Sequence, residues 1–173
     1  PMQAPQGALF ICKLPDLAEF TPVPGMLLLD GIQDPGNMGT IIRIADWFGI
    51  KNIYCSNGTV DIYNPKTIQA TMGAIGRVKV HYTDLPALIK SLANSAHIYG
   101  TFLDGENIYS CQLSDKGLII MGNEGNGISD ECGKLIKERL LIPSYPADCN
   151  TSESLNVSVA TAIVCSEFRR RNR

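Results

Sequence analysis

The sequence predicts an α/β protein with a mostly parallel β-sheet and helices on both faces. Short apolar runs alternate with segments of helical periodicity along most of the chain, which is the pattern of repeated β–α units. The apolar runs lack period-two alternation, as is typical of strands that are buried on both sides. Polar loops that contain glycine or proline follow several of these runs, and such loops hold ligands in open α/β proteins.

The strands are predicted from short runs rich in leucine, isoleucine and valine. In chain order they are residues 8–13, 26–29, 52–55, 78–82, 97–103, 118–122 and 139–142. A loop through Pro15, Pro22 and Pro24 separates the first two, because proline cannot donate to a strand ladder.

Helical periodicity predicts helices over residues 38–48, from Pro65 to about Gly73 or Gly76, and over 85–93, 129–137 and 154–170. In the first helix Ile41, Ile42, Ala45 and Phe48 share an apolar face, and Gly49 is placed to end it. Pro65 suits the first turn of the second helix, where a backbone N–H is not needed.

Composition indicates one domain and argues against one class of nucleic-acid-binding protein. The 173 residues, 45% of them apolar, fit one domain with a sizeable core. A charged fraction of 18% and a net charge of −2 argue against a nucleic-acid-binding protein with its own basic stripe. The low charge suits a domain that buries extra surface in an oligomer, although many monomers share it.

Cysteine usage and hydropathy indicate a location. The six cysteines show no C-x-x-C spacing and no nearby histidine, so no metal site is expected. No signal peptide and no membrane span are expected, since no apolar run approaches the 18 residues or so that a span needs. We therefore expect a cytoplasmic protein with reduced cysteines and no membrane partner.

The first candidate site lies between Asp30 and Gly49, where a strand leads through the sequence DPGN into a helix. Asn37 either caps this helix or belongs to a site. Arg43 stands among apolar residues, so its guanidinium must reach solvent, pair with an acid or meet an anion. A structural salt bridge and a phosphate-binding or catalytic role are both open.

The second candidate is the sequence GNEGNG at residues 122–127, between a predicted strand and a predicted helix. It superficially suggests a nucleotide-phosphate loop, but it matches neither G-x-G-x-x-G nor a loop ending in G-K-[ST]. Its glycines can simply provide positive φ angles. Glu124 is expected to pair with a cation, and Arg43 is one candidate partner.

The third candidate is the polar loop that ends at Asn156. Ser152 or Ser154 can serve as an N-cap of the last helix. Asn156 is expected one turn into that apolar helix, where asparagine is unfavourable unless its amide has a partner. A role for Asn156 at a site is therefore indicated.

Other conspicuous residues have structural interpretations. His81 and His97 are lone histidines in strands, and Trp47 is expected in the core. The arginine-rich terminus from Arg169 to Arg173 is either a solvated helix end, favoured by the helix dipole, or a phosphate contact.

Together the three candidate segments resemble the SpoU (TrmH-like) RNA 2'-O-ribose methyltransferases of the SPOUT superfamily, over nearly the whole chain. The similar motifs are NMG at 37–39 with the arginine at 43, GNEGNG at 122–127, and IP at 142–143 followed by SLNVSVA at 154–160. The segment DIYNPKTIQATMGAI at 61–75 is also similar to the family. The segment 144–153 is longer than the loop that is usual there.

The resemblance implies a fold, a cofactor and partners. These are a C-terminal deep trefoil knot, S-adenosyl-L-methionine, a homodimer, and a tRNA or rRNA substrate, without a metal. Residues 26–173 would be the SpoU methyltransferase catalytic domain. Residues 1–25 would be a linker and first strand that follow an N-terminal RNA-binding domain.

The resemblance also implies the site residues. The cofactor would touch Thr101, Leu103, Gly122, Ile142 and Leu155. The catalytic residues would be Arg43, Asn37, Glu124, Ser154 and Asn156. The family proposal makes the arginine a base; because an arginine pKa lies above about 12, a phosphate clamp that stabilises the developing alkoxide is the physically safer role.

Two other functions stay open at this point. A nucleotide-binding α/β enzyme that uses residues 122–127 for phosphate would bind ATP or NAD. A non-catalytic RNA-binding or assembly factor on the same fold would have lost residues of the cofactor site.

Overall fold

The computed structural model describes residues 7, 11–14, 27–114, 116–146 and 154–171. The strands are β1 Leu27–Leu29, β2 Asn52–Cys55, β3 Lys79–Tyr82, β4 Ile98–Asn107, β5 Leu118–Met121 and β6 Glu138–Leu141. The helices are α1 Pro35–Trp47, α2 Pro65–Thr71, α3 Leu85–Leu92, α4 Asp130–Gly133 and α5 Val157–Arg171, with a 3₁₀ helix at Ala74–Gly76.

These strands form one six-stranded sheet in the order β3-β2-β1-β5-β4-β6. Each neighbouring pair is parallel, which confirms the predicted α/β class. In the described part of the chain, no helix has the length and apolar composition needed to span a membrane.

Helices cover both faces of the sheet. Successive residues of a strand point to opposite faces, so one strand contributes side chains to a core on each side. In β1, Leu27 and Leu29 join a core with side chains of α1 and α5, whereas Leu28 joins a second core with α3 and α4. All three leucines are fully buried, and each such burial is worth roughly 1.5–3 kcal/mol. The absence of alternation in the apolar runs follows, since each residue of a central strand faces a helix.

Helix α1 begins at Pro35, earlier than the predicted residue 38. Its N-cap is Asp34, whose Oδ1 accepts a hydrogen bond from the backbone N–H of Asn37 at 2.7 Å. Proline fits the first helical position, where no donor is required. The interpretation of Asn37 as the N-cap is therefore wrong, and its side chain is available to other partners.

Trp47, at the end of α1, is 84% exposed, so the expectation that it lies in the core is wrong. Trp47 lies four and seven residues after Arg43 and Thr40, which are also exposed. That spacing puts all three on the helix face turned away from the sheet. On another side of α1, a Cβ at Gly39 would lie 2.5 Å from the Cβ of Ala70, so α1 and α2 approach as closely as only glycine permits.

Several element boundaries differ from the prediction. Residues 11–14 form no regular structure, so the strand predicted over 8–13 is wrong there; residues 8–10 and the proline-rich loop lie outside the described residues. Helix α4 ends at Gly133, a poor helix residue, and the chain then turns toward β6 instead of continuing to residue 137. Helix α5 begins at Val157 rather than 154, and β4 continues to Asn107.

Strand β4 contacts β6 at two places. Thr101 and Glu106 both pair with Leu140, so residues 102–105 lie between the two pairings. A Cβ on Gly105 would lie 2.5 Å from the carbonyl carbon of Leu140. Residue 105 is therefore in direct contact with the backbone of β6.

The end of α5 is tied to the segment that follows β4. Glu167 is only 5% exposed, and its carboxylate accepts from Arg170 Nε at 2.8 Å and from Arg171 Nε at 2.7 Å. These hydrogen bonds, with the one from Arg170 the largest cause, lower the pKa of Glu167 to about 2. Arg171 also donates to the carbonyl oxygens of Ile108 at 3.0 Å and Tyr109 at 2.6 Å. Much of the arginine-rich terminus thus makes contacts within the fold; residues 172 and 173 lie outside the described residues.

Candidate active site

A cavity of about 450 Å³ opens at the carboxyl ends of β5 and β6 and beside residues 101–103 of β4. Its walls are residues 101–103, 121–128 and 140–142 together with the start of α5, and its volume is in the range of roughly 300–1,000 Å³ that is typical of small-molecule sites. The residues expected to touch a cofactor all line it: Thr101, Leu103, Gly122, Ile142 and Leu155. Parallel strands explain this convergence, because their carboxyl ends meet at one edge of the sheet.

The glycine loop, residues 122–127, closes on itself. Asn123 and Gly127 exchange backbone hydrogen bonds of 2.8 and 3.0 Å. The side-chain Oδ1 of Asn123 accepts from the backbone N–H groups of Gly125 and Asn126 at 2.9 and 3.0 Å. These donors are satisfied within the loop, so a phosphate would have to compete for them. This argues against the nucleotide-phosphate interpretation.

Two glycines of this loop are needed for different reasons. A Cβ at Gly122 would lie 2.2 Å from both the carbonyl carbon of Gly127 and the nitrogen of Ile128, so the close approach excludes a side chain. Gly127 instead has a φ of +69°, a left-handed conformation that side chains disfavour.

A series of side-chain hydrogen bonds joins the three segments singled out in the sequence. Asn156 Nδ2 donates to Asn37 Oδ1 at 3.0 Å, and Asn37 Nδ2 donates to Glu124 Oε1 at 3.1 Å. Glu124 lines the cavity, so the chain of amides ends at its rim. The fold thus brings one residue from each motif into a single polar group.

Glu124 has neutral partners rather than a cation. Besides Asn37, its carboxylate oxygens accept from the backbone N–H groups of Gln33 and Asp34, each at 3.4 Å. These groups immediately precede α1, where the helix dipole favours a negative charge. Among the described residues no ion pair joins Glu124 to Arg43, so the predicted pairing is wrong.

Asn156 is the residue immediately before α5, not one turn inside it. Its Oδ1 accepts from the backbone N–H groups of Ser158 at 3.0 Å and Val159 at 3.3 Å, and so caps the helix. Its Nδ2 is the group that contacts Asn37. The Asn156 side chain therefore both caps α5 and belongs to the polar group with Asn37 and Glu124.

Ser154 is exposed, lines the cavity and lies ahead of the helix that Asn156 caps, so Ser154 as an N-cap is wrong. Ser152, the other N-cap candidate, lies outside the described residues. The same holds for residues 147–153 of the long segment 144–153.

Arg43 is not part of the cavity. It follows Asn37 by six residues, which corresponds to about 9 Å along α1 and a different face of the helix. Its side chain is exposed, and within residues 27–114, 116–146 and 154–171 it forms no ion pair. The structural salt bridge left open by the sequence is therefore absent from this part of the chain.

Phe102 forms part of the cavity wall, although it is not among the site residues predicted from the sequence. The guanidinium carbon of Arg139 lies 3.4 Å from the centre of its ring, a cation–π contact. Arg139 also donates to Asp104 at 2.5 Å, and this hydrogen bond lowers the pKa of the Asp104 carboxyl. The position of Phe102 between Thr101 and Leu103 was a signal that could have identified it.

Comparison with known proteins identifies the family. The SpoU rRNA Methylase family model matches residues 24–166. The chain is 33% identical over 169 residues to the 23S rRNA (guanosine(2553)-2'-O)-methyltransferase of Bacillus subtilis, covering 96% of this chain and 66% of that protein. It is also 33% identical over 162 residues to the 23S rRNA (guanosine-2'-O-)-methyltransferase of Neisseria meningitidis, covering 90% of this chain and 62% of that protein.

Solved structures of similar proteins indicate the same family. A TrmH-family protein of Porphyromonas gingivalis is 43% identical, with a TM-score of 0.78, over 88% of this chain and 62% of that chain. An AdoMet-bound rRNA methyltransferase of Sinorhizobium meliloti is 30% identical, also with a TM-score of 0.78, over 88% of this chain and 59% of that chain. This chain thus spans about two thirds or less of each relative. With a family model that covers most of its length, the chain belongs to the SpoU rRNA methylase family.

Proposed function

We propose that this chain transfers a methyl group from S-adenosylmethionine to a ribose 2'-hydroxyl of ribosomal or transfer RNA. The observation that carries the proposal is the hydrogen-bonded group Asn156–Asn37–Glu124 at the rim of the cavity, which unites the three family motifs. Relatives named as 23S rRNA 2'-O-methyltransferases support the same reaction.

The cavity suits this cofactor. Its walls combine apolar side chains, such as Leu103, Leu155 and Ile142, with the backbone of the glycine loop. Gly122 brings main-chain atoms closer than any side chain would allow. When bound, the cofactor supplies an electrophilic methyl group, so the protein must position the substrate and exclude water.

In the proposed reaction the polar group orients the ribose, and Arg43 engages the RNA phosphate. A guanidinium forms two parallel hydrogen bonds to a phosphate and stabilises negative charge on the reacting oxygen. A guanidinium offers only hydrogen-bond donors and no acceptor, which favours this role over that of a base. Glu124, Asn37 and Asn156 hold the rim of the cavity, and Ser154 is available to the substrate because it is exposed there.

We also propose a homodimer that pairs through the exposed faces of α1 and α5. The two helices lie side by side: Asn156 contacts Asn37 at one end, and Arg169 Nε donates to the Phe48 carbonyl at 2.8 Å at the other. Trp47 is 84% exposed on this side of the fold, an unusual position for a tryptophan.

The exposed position of Arg43 supports the same arrangement. On α1 it lies outside its own cavity and close to the proposed interface, so a second copy can bring an additional cation to the RNA surface. Light scattering at micromolar concentration should give twice the mass of the chain, and Trp47→Glu should give the single mass. A wild-type chain that runs as a monomer contradicts the proposal.

A trefoil knot is proposed for the C-terminal part of the sheet. Its support is the double pairing of Leu140 with Thr101 and Glu106, and the contact of Gly105 with the backbone of β6. A segment that crosses directly over a strand would produce both features. We further propose that residues 26–173 form the catalytic domain, with residues 1–25 leading from an RNA-binding domain.

The activity is tested with tritiated S-adenosylmethionine and total RNA from cells that lack the gene. Arg43→Ala should abolish ribose methylation and leave the calorimetric Kd for S-adenosylmethionine within about twofold, since Arg43 lies outside the cavity. The matched control is Arg77→Ala, a surface arginine that pairs with Asp46 at 2.8 Å and should retain activity.

The outcomes separate the alternatives. Methylation that persists in Arg43→Ala contradicts the role of that residue. A wild-type chain that binds neither S-adenosylmethionine nor S-adenosylhomocysteine contradicts the proposed activity. RNA binding without cofactor binding would instead indicate a non-catalytic RNA-binding factor, and ATP binding would indicate the nucleotide enzyme.

A further inference from the structure

A buried carboxylate lies behind the glycine loop. Asp30 directly follows β1 and is 8% exposed, yet it does not line the cavity. A carboxylate in such a position needs hydrogen-bond donors, because burial without them is costly. Its Oδ2 accepts from the backbone N–H of Ser129 at 2.9 Å.

Ser129 is the N-cap of α4, with a side chain that accepts from the backbone N–H of Cys132 at 3.4 Å. In a capping box, a Glu or Gln three residues after the N-cap accepts from the backbone N–H of the N-cap residue. Here that later position is Cys132, which offers no such acceptor. Asp30, which follows β1 and is distant in sequence, provides the missing acceptor. Its hydrogen bond fixes Ser129, two residues after the end of the glycine loop.

The two residues that follow β1 also fix the start of the glycine loop. The backbone N–H of Asp30 donates to the carbonyl of Met121 at 2.9 Å. The next residue, Gly31, accepts at its carbonyl from Asn123 Nδ2 at 2.7 Å. Asp30 and Gly31, the two residues that follow β1, therefore hold the cavity wall formed by residues 121–128 at both of its ends.

We propose that Asp30 is a positioning residue for the cofactor. By accepting from Ser129, it holds residues 122–128 in the conformation that shapes the cavity, without touching the cavity. This inference rests on the proposed function, since it concerns S-adenosylmethionine at the same site. Small displacements of a binding wall weaken interactions that depend on close contact.

The test compares Asp30→Ala, Asp30→Asn and the control Asp84→Ala. Asp84 also caps a helix with its carboxylate, accepting from the backbone N–H of Ala87 at 3.0 Å, but that helix, α3, contributes no residue to the cavity. Calorimetry with S-adenosylmethionine and S-adenosylhomocysteine gives the Kd, and thermal melting gives stability.

We expect Asp30→Ala to weaken both ligands at least about tenfold, because Ser129 loses its acceptor. Asp30→Asn should weaken them only about threefold, since an amide oxygen accepts less strongly than a carboxylate. Asp84→Ala should lower the melting temperature but leave both Kd values within about twofold.

An unchanged Kd in Asp30→Ala overturns the inference, as does an unchanged Kd in Asp30→Asn if the alanine variant does not fold. An equal weakening in Asp84→Ala also overturns it, because the effect would then reflect stability alone. Failure of the wild-type chain to bind either ligand contradicts the proposed function itself, which the Asp30 variants do not test.

Discussion

Gly122→Ala places a methyl group where the fold leaves no room. Its Cβ would lie 2.2 Å from the carbonyl carbon of Gly127 and from the nitrogen of Ile128, and 2.5 Å from the Gly127 oxygen. Non-bonded heavy atoms prefer separations of about 3.5–4 Å, so the loop must move by more than about 1 Å. Overpacking costs roughly 1–3 kcal/mol. We expect about 3 kcal/mol here, because the obstructing atoms are backbone and cannot rotate aside.

Urea unfolding of the purified chain measures this loss. The matched control is Gly125→Ala in the same loop, where the nearest atom to a new Cβ is the Oδ1 of Asn123 at 3.6 Å. Gly125 is exposed, so we expect its unfolding free energy to stay within about 0.5 kcal/mol of wild type. Equal unfolding midpoints for the two variants would refute the claim that the loop closes directly over Gly122.

Three further changes test other parts of the fold. Gly39→Ala should destabilise the chain by about 1–3 kcal/mol in urea unfolding, because its Cβ would lie 2.5 Å from an α2 side chain; a neutral result would show that the helices can separate. Met72→Gly should stabilise by about 0.5–1 kcal/mol, since residue 72 has a φ of 49° and its side chain is 71% exposed; a loss would reveal a packing role for the side chain. Glu167→Gln should cost about 2 kcal/mol at neutral pH. The pKa of Glu167 is lowered from 4.5 to about 2, so this stabilisation is present above pH 4.5 and is lost as the pH falls toward 2. The variant and wild type should therefore converge in stability as the pH falls from 4.5 to about 2, and a constant difference over that range would contradict the reasoning.

The layered architecture could be predicted from the sequence because it depends on local pattern. Runs such as residues 118–122 are apolar at each position, which indicates a strand covered on both sides, and β5 is buried throughout. The order of strands in the sheet could not be predicted, since it depends on contacts between distant residues. The pairing of β1 with β5, for example, joins Leu28 to Ile120.

Three of the predicted site residues lie together in the fold, but their contacts differ from those expected from the sequence. Asn37, Glu124 and Asn156 form one hydrogen-bonded group, whereas the expected pairing of Glu124 with Arg43 is wrong. For Asn37 the sequence left an N-cap and a site residue both open, because asparagine favours caps; the N-cap is Asp34. Trp47 was expected in the core, but helix periodicity puts it on the face away from the sheet, where it is exposed.

The Asn156 amide both caps α5 and contacts Asn37, so it links stability to the proposed activity. Enzymes often keep residues in their active sites that reduce stability, so that selection for one property opposes selection for the other. Here a substitution that removes the Asn156 side chain loses the N-cap of α5 and the contact with Asn37 in a single step. Variants screened only for thermal stability should therefore retain this asparagine, and stabilising this chain need not erode the site that Asn156 supports.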